Sequence, residues 1–140
     1  MQLSLPGEPA RISTSAEETV TDSDKARIPG RLSVTSTGTD GIHVLSVAGE
    51  IDHDTVQPLR QALELSCLGS PPRVVIDMRQ VTFMDSAGIN LLITTRRATS
   101  GRHGWLRLAA VPDSVMHTLR IVELDTIIDC HPTLRDALHP

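Results

Sequence analysis

The sequence predicts an α/β domain: a mixed, mostly parallel central sheet of about five strands, with about four helices packed on it. Three observations predict it. Short apolar runs alternate along the chain with segments whose apolar residues recur at helical spacing, the pattern of strand-helix crossovers. Val74-Val75-Ile76 is a continuous β-branched run, suited to a strand buried on both faces as in parallel pairing. Two alternating runs flank the turn cluster Thr37-Gly38-Thr39-Asp40-Gly41, which marks an antiparallel hairpin. The 140 residues suit one domain, residues 31–140, after a tail.

Residues 1–30 are rich in Ser, Thr, Pro and acids, with isolated apolar residues and no periodicity, and they read as a disordered tail. Leu32-Ser33-Val34-Thr35 is the first strand, and Ile42 to Ala48 the second. Gly49-Glu50-Ile51-Asp52 ends that strand and opens a loop. The first helix carries Val56, Leu59 and Leu63 on one face. Thr55 is its expected N-cap, which sets Pro58 at the third helical position, where a missing N–H breaks no bond. Gly69 to Pro72 end this unit. After Val74–Ile76, Asp77 to Phe83 lead to a turn at Ser86. The next helix presents Ile89, Leu92 and Ile93, with Gly101 as its terminator. Trp105–Ala109 is a strand. Pro112-Asp113-Ser114 open a helix bearing Val115, Met116, Leu119 and Val122. Thr126–Cys130 is the expected last strand, and Pro132 starts a short helix through Leu134 and Leu138. The order is β-β-α-β-α-β-α-β-α.

Composition excludes several function classes. Aromatic residues are 1%, Phe83 and Trp105, so the core is aliphatic and no base-stacking platform exists for single-stranded nucleic acid. The net charge of −4 leaves no basic excess for a phosphate backbone. Arg96-Arg97 and Arg102 read as a solvated helix face. Cys67 and Cys130 lack metal-site spacing and read as small buried hydrophobes in a reducing compartment. The N-terminus lacks a signal-peptide pattern, and no apolar run reaches the roughly 18 residues of a membrane span, so a cytoplasmic location is expected. Asp85-Ser86-Ala87-Gly88 is not a Gly-x-Ser-x-Gly nucleophile elbow. No Walker loop is present, and Asp52-His53-Asp54 reads as a solvated loop rather than a metal site. The chain is expected to be no enzyme and to need no cofactor.

Chemistry concentrates at Met84-Asp85-Ser86-Ala87-Gly88. Asp85 stands where an N-cap belongs, so Ser86 falls in the first helical turn, near the positive end of the dipole. A phosphate there adds nearly two negative charges beside free N–H groups. Taken alone, this local sequence fits a second capping hydroxyl better than a modified serine. Gly88 costs its own helix roughly 1 kcal/mol relative to Ala, which calls for a close approach of a partner backbone or tight packing on the sheet.

Val74-Val75-Ile76-Asp77-Met78 followed by Val81-Thr82-Phe83-Met84-Asp85-Ser86-Ala87-Gly88-Ile89 resembles the signature of STAS domains. It is similar, more narrowly, to bacterial anti-sigma factor antagonists. Gly49-Glu50-Ile51-Asp52 resembles the family's segment at the end of its second strand. Leu124 to Ile128 with Thr133 to Leu138 resembles its C-terminal end. The resemblance covers about residues 31–139 and implies the STAS fold. It implies that Ser86 is phosphorylated by the partner, an anti-sigma factor that is also a serine kinase, and reset by a PPM-type phosphatase. The dephosphorylated form then binds the anti-sigma factor and releases the sigma factor. The resemblance places Asp85, Gly88 and Ile89 around Ser86 at the docking surface and Asp52 near it, to engage or orient the kinase; Asp52 reads equally well as a loop-capping carboxylate. One departure is Glu123, where the family commonly has Gly. Two rival roles keep the fold without a phospho-switch: a subunit docked to a membrane lipid transporter, and a scaffold in a stress-sensing complex.

Overall fold

The computed structural model describes residues 32–68 and 71–140. The tail expected over residues 1–30 lies outside them. Among the described residues the elements are β1 (Ser33–Thr39), β2 (Ile42–Ile51), α1 (Gln57–Ser66), β3 (Arg73–Met84), α2 (Ser86–Ser100), β4 (Trp105–Ala109), α3 (Asp113–Ile121), β5 (Asp129–His131) and α4 (Leu134–Leu138), with a 3₁₀ turn at Leu124–Thr126. The predicted alternation of elements is the observed one.

The sheet has the order β1-β2-β3-β4-β5. The β1–β2 pair is antiparallel and the other three are parallel. Asp40 and Gly41, with φ of 51° and 79°, make the two-residue hairpin turn. Both types tolerate left-handed backbone, so Thr37, Gly38 and Thr39 stay in the ladder, and β1 is longer than the predicted Leu32–Thr35.

Each crossover steps one strand in the same direction. Right-handed steps of that kind place their helices on one face. Accordingly Leu59 and Leu63 of α1, Ile89, Leu91 and Leu92 of α2, and Val115 and Leu119 of α3 share one core with Leu45, Val47, Val74, Ile76, Met78, Leu106 and Leu108 of the sheet. This core is aliphatic apart from Met78 and Met84. α4 doubles back to the other face, where Ala137, Leu134 and Leu138 cover Val75 and Ala109. Trp105 packs on that side, its ring 3.6 Å beneath the Arg107 guanidinium.

β3 outruns its neighbour. Its pairing with β4 stops at Asp77–Ala109, but its pairing with β2 continues to Met84–Ile51. The overhang slips register twice: Asp77 to Gln80 faces Ser46 to Ala48, and Val81 to Phe83 faces Gly49 to Glu50. Each slip is a bulge adding one residue to β3. Simple alternation is lost, and Met78, Val81 and Met84 turn inward at every third position, while Arg79, Gln80, Thr82 and Phe83 are exposed.

Several element ends differ from expectation. Val56, not Thr55, is the N-cap of α1, and Pro58 sits in the first two helical positions. The Thr55 hydroxyl is drawn backwards instead, donating to the Glu50 carbonyl at 2.6 Å. Gly101 follows α2 but keeps right-handed backbone, so its conformational freedom is not what ends the helix. On α2, Ile93 is only partly buried, and Leu91 takes the place expected for it in the core. Val122 caps α3 and is exposed rather than lying on its buried stripe. α4 begins after Thr133, whose hydroxyl accepts from Asp136 N–H at 3.0 Å, and not at Pro132. The last strand is displaced from Thr126–Cys130 to Asp129–His131. Leu124 and Ile128 are both buried and lie four residues apart, a helical spacing, so the chain makes one 3₁₀ turn before extending.

Candidate functional site

The site is formed where β2 and β3 end side by side. Ile51 pairs with Met84, and Asp85 N–H donates to the Ile51 carbonyl at 3.0 Å. This bond ties the β2–α1 loop to the start of α2 and brings Asp52 beside Asp85.

Asp85 has extended backbone and is the N-cap of α2. Its carboxylate accepts from Ala87 N–H at 2.8 Å, and its carbonyl accepts from Ile89 N–H at 3.2 Å. Ser86 is therefore the first helical residue, and it is exposed. No hydrogen bond of its hydroxyl is found among the described residues, so the second-capping-hydroxyl reading has no bond behind it.

Gly88 and Ile89 lie under the turn, Ile89 on the apolar helix face that its spacing predicts. Both are buried, so neither belongs to the exposed surface around Ser86. A Cβ at Gly88 would lie 2.6 Å from Met84 Cγ and 2.9 Å from Ile51 Cγ2. Tight packing on the sheet, rather than the approach of a partner backbone, accounts for this glycine. The ends of β2 and β3 press on the first turn of α2, and only a residue without a side chain fits.

Asp52 is partly exposed, and its carboxylate is committed to its own loop. Asp52 Oδ1 accepts from Asp54 N–H at 2.9 Å and from Thr55 N–H at 3.0 Å. Asp52 N–H donates in turn to Thr55 Oγ1 at 3.0 Å. The loop-capping role is thus realised through Oδ1.

Two nearby residues were not singled out from the sequence. His53 is largely exposed and lies between carboxylates, with Nε2 3.5 Å from Asp54 Oδ1 and Nδ1 3.9 Å from Asp85 Oδ2. No local pattern identifies it; the juxtaposition depends on β2 lying against β3. Phe83, at the end of β3, is 48% exposed. Its signal was available in the composition, since aromatic residues are so few.

Carboxylates dominate this rim: Asp52, Asp54 and Asp85 lie within four residues of the two strand ends. Among the described residues, no group of three His, Cys, Asp or Glu side chains is arranged to hold a metal ion. No helix there is long and apolar enough to cross a membrane. The thiols lie elsewhere. Burial pushes the Cys130 thiol up to about 11, with Asp125 and Asp129 adding to the rise. Burial raises that of Cys67 as well, against the pull of Arg102. Both cysteines are thereby kept in the unreactive protonated form at neutral pH.

Comparison with known proteins matches this geometry to a family. The sequence profile of the STAS domain matches residues 33–137. The anti-sigma-F factor antagonist RsfB of Mycobacterium tuberculosis is 31% identical over 112 residues, covering 79% of this chain and 89% of that protein. The crystal structure of an anti-sigma factor antagonist from Mycobacterium paratuberculosis superposes with a TM-score of 0.73 at 32% identity, covering 81% of this chain and 96% of that one. The phosphorylated form of the Bacillus cell fate determinant SpoIIAA shares the fold, with a TM-score of 0.61 at 19% identity over 76% of this chain and 96% of that one.

Proposed function

The chain belongs to the STAS domain family, and on that premise we propose that it is an anti-sigma factor antagonist whose binding state is set by phosphate on Ser86. In its unphosphorylated form it binds an anti-sigma factor and thereby frees a sigma factor for transcription. That anti-sigma factor is also the serine kinase that modifies Ser86, and a PPM-type phosphatase resets the switch. The observation that carries this reading is the Ser86 hydroxyl: exposed, free of partners among the described residues, and held at a helix start by the Asp85 cap. Relatives named as antagonists support the role.

The mechanism follows from charge and burial. A partner that covers Ser86 desolvates a neutral hydroxyl at little cost. Phosphate adds close to two negative charges at neutral pH, beside Asp85 and near Asp52. The α2 dipole offsets part of that charge, but Asp85 already holds the Ala87 N–H that a phosphate oxygen would otherwise take. Under a partner surface the remainder is buried without compensation. A 100-fold loss of affinity needs only about 2.7 kcal/mol, well within that penalty. The fold need not move, because Ser86 is exposed at the first helical position.

In this reading Asp85 and Ser86 meet the partner directly. Asp52 orients the kinase through its carboxylate while Oδ1 caps the loop. Gly88 and Ile89 act from beneath, setting the height and angle of the turn that carries Ser86.

Titration calorimetry against the cognate anti-sigma factor tests the switch. Wild type and Ser86→Ala bind alike, and Ser86→Glu binds on the order of 100-fold more weakly. Equal affinity for all three ends the proposal.

A further inference from the structure

Phe83, one of the chain's two Phe, Trp or Tyr residues, is the last residue but one of the β3 overhang. Phe83 is 48% exposed in a chain whose main core contains no aromatic ring. A single exposed hydrophobe is unremarkable on a protein surface. Position and backbone set this one apart. Among the described residues the other exposed large hydrophobics are Leu65, Leu68, Ile121, Val122 and Ile127. These lie at or beyond the ends of α1 and α3, both of which run back toward the starts of the strands, so they occupy the end of the sheet opposite Ser86. Among the described residues, Phe83 alone of this set lies at the Ser86 end, three residues before it.

The backbone reaches this arrangement only through the two bulges. Each makes β3 one residue longer than its partner strand, and the second falls between Val81 and Phe83. Plain alternation from the buried Val81 would turn position 83 inward; the bulge leaves Phe83 outside and restores Met84 to the interior. Bulges next to functional sites commonly re-aim a side chain in this way. β4 ends at Ala109, level with Asp77, so no strand lies beside Phe83 on that flank. The ring is displayed and not merely left over.

We infer that Phe83 is the apolar anchor of the partner interface centred on Ser86, inserted into an apolar pocket of the anti-sigma factor; Glu50 is its register partner on β2, and Gln80 and Thr82 are exposed polar residues of the same overhang. The inference rests on the reading of Ser86 as the partner-facing switch and adds its source of affinity. Ser86 decides whether the complex forms, and Phe83 supplies the buried contact that holds it. Anchors of this kind are aromatic, central and surrounded by contacts of little energy.

The test measures affinity of the purified cognate anti-sigma factor for wild type, Phe83→Ala, Phe83→Leu, Ile121→Ala and Ser86→Glu, with thermal melts confirming the fold of each. Phe83→Ala weakens binding on the order of 30-fold, as expected for removal of a hot spot. Phe83→Leu loses less, and Ile121→Ala binds as wild type. Wild-type affinity for Phe83→Ala overturns the anchor, as does an equal loss for Ile121→Ala, and either leaves the switch to be judged by Ser86→Glu alone. A loss for Phe83→Ala with none for Ser86→Glu keeps the anchor and ends the switch. A wild-type chain that fails to bind ends both.

Discussion

Two hydroxyls stand at adjacent strand ends, and they have opposite fates. Thr55 follows β2, where its oxygen donates to the Glu50 carbonyl and accepts from Asp52 N–H, and the Asp52 carboxylate closes the loop around it. Ser86 follows β3, where Asp85 caps the helix alone and the serine oxygen is left over. Among the described residues the loops are joined by one backbone hydrogen bond, from Asp85 N–H to the Ile51 carbonyl, with His53 Nδ1 3.9 Å from Asp85 Oδ2 beside it. The contrast teaches that availability for chemistry is a matter of which neighbour does the structural task. Where a carboxylate caps without help, the hydroxyl beside it is free. Where the hydroxyl is itself a strut, it cannot be modified without dismantling the loop.

The strongest way to break this contrast is to let the kinase choose. Incubated with ATP and the anti-sigma factor kinase proposed above, the chain should carry phosphate on Ser86 and none on Thr55, an all-or-none difference read by phosphopeptide mass spectrometry. Phosphate on Thr55 would show that internal bonding does not protect a hydroxyl here.

Next in size is the spacing beneath the two loops. Gly88→Val forces a branched side chain against Met84 and Ile51, and denaturant unfolding should show a loss of about 2–3 kcal/mol. An unchanged midpoint would mean that α2 does not rest on the strand ends as closely as 2.6 Å implies.

Thr55→Val removes the strut and keeps the shape. It leaves the Glu50 carbonyl and Asp52 N–H unpaired, and stability should fall by about 1–2 kcal/mol in the same measurement, while Ser86 is phosphorylated at the wild-type rate. A neutral outcome would make the Thr55 bonds ornamental and the comparison empty.

The smallest effect sharpens the contrast from the other end of the sheet. Glu123 has φ of 60°, in the left-handed region where glycine is favoured. Glu123→Gly should raise stability by about 0.5–1 kcal/mol and leave partner affinity unchanged. A change in affinity would show that the two ends of the sheet are coupled.

What could be read from the sequence follows from how local each determinant is. The start of α2 was legible because Asp85 and Ala87 are two residues apart and the cap is made between them. The start of α1 was not, because Thr55 answers to Glu50, five residues back across a loop whose path is set by Asp52. Gly88 announced that something pressed on it, but the atoms that do so belong to Met84 and to Ile51, on another strand. The bulges of β3 were invisible because a bulge exists only relative to the register of β2. The final strand was misplaced since Leu124 and Ile128 answer to a helical turn, whereas Ile127-Ile128 read in isolation looks extended. Glu123 is the converse case: the family resemblance marked the position as one for glycine, and the backbone there is left-handed.

Strand order in this sheet equals chain order. During synthesis the chain leaves the ribosome from its N-terminal side at about 5–20 residues per second. The β1–β2 hairpin can close first, and every later strand then adds to the rim just made, with no strand required to insert between two others. The backbone pairing beneath Ser86, Ile51 against Met84, involves no residue of β4 or β5. Growth ends on β5, only three residues long, which leaves newly made neighbours little edge to join.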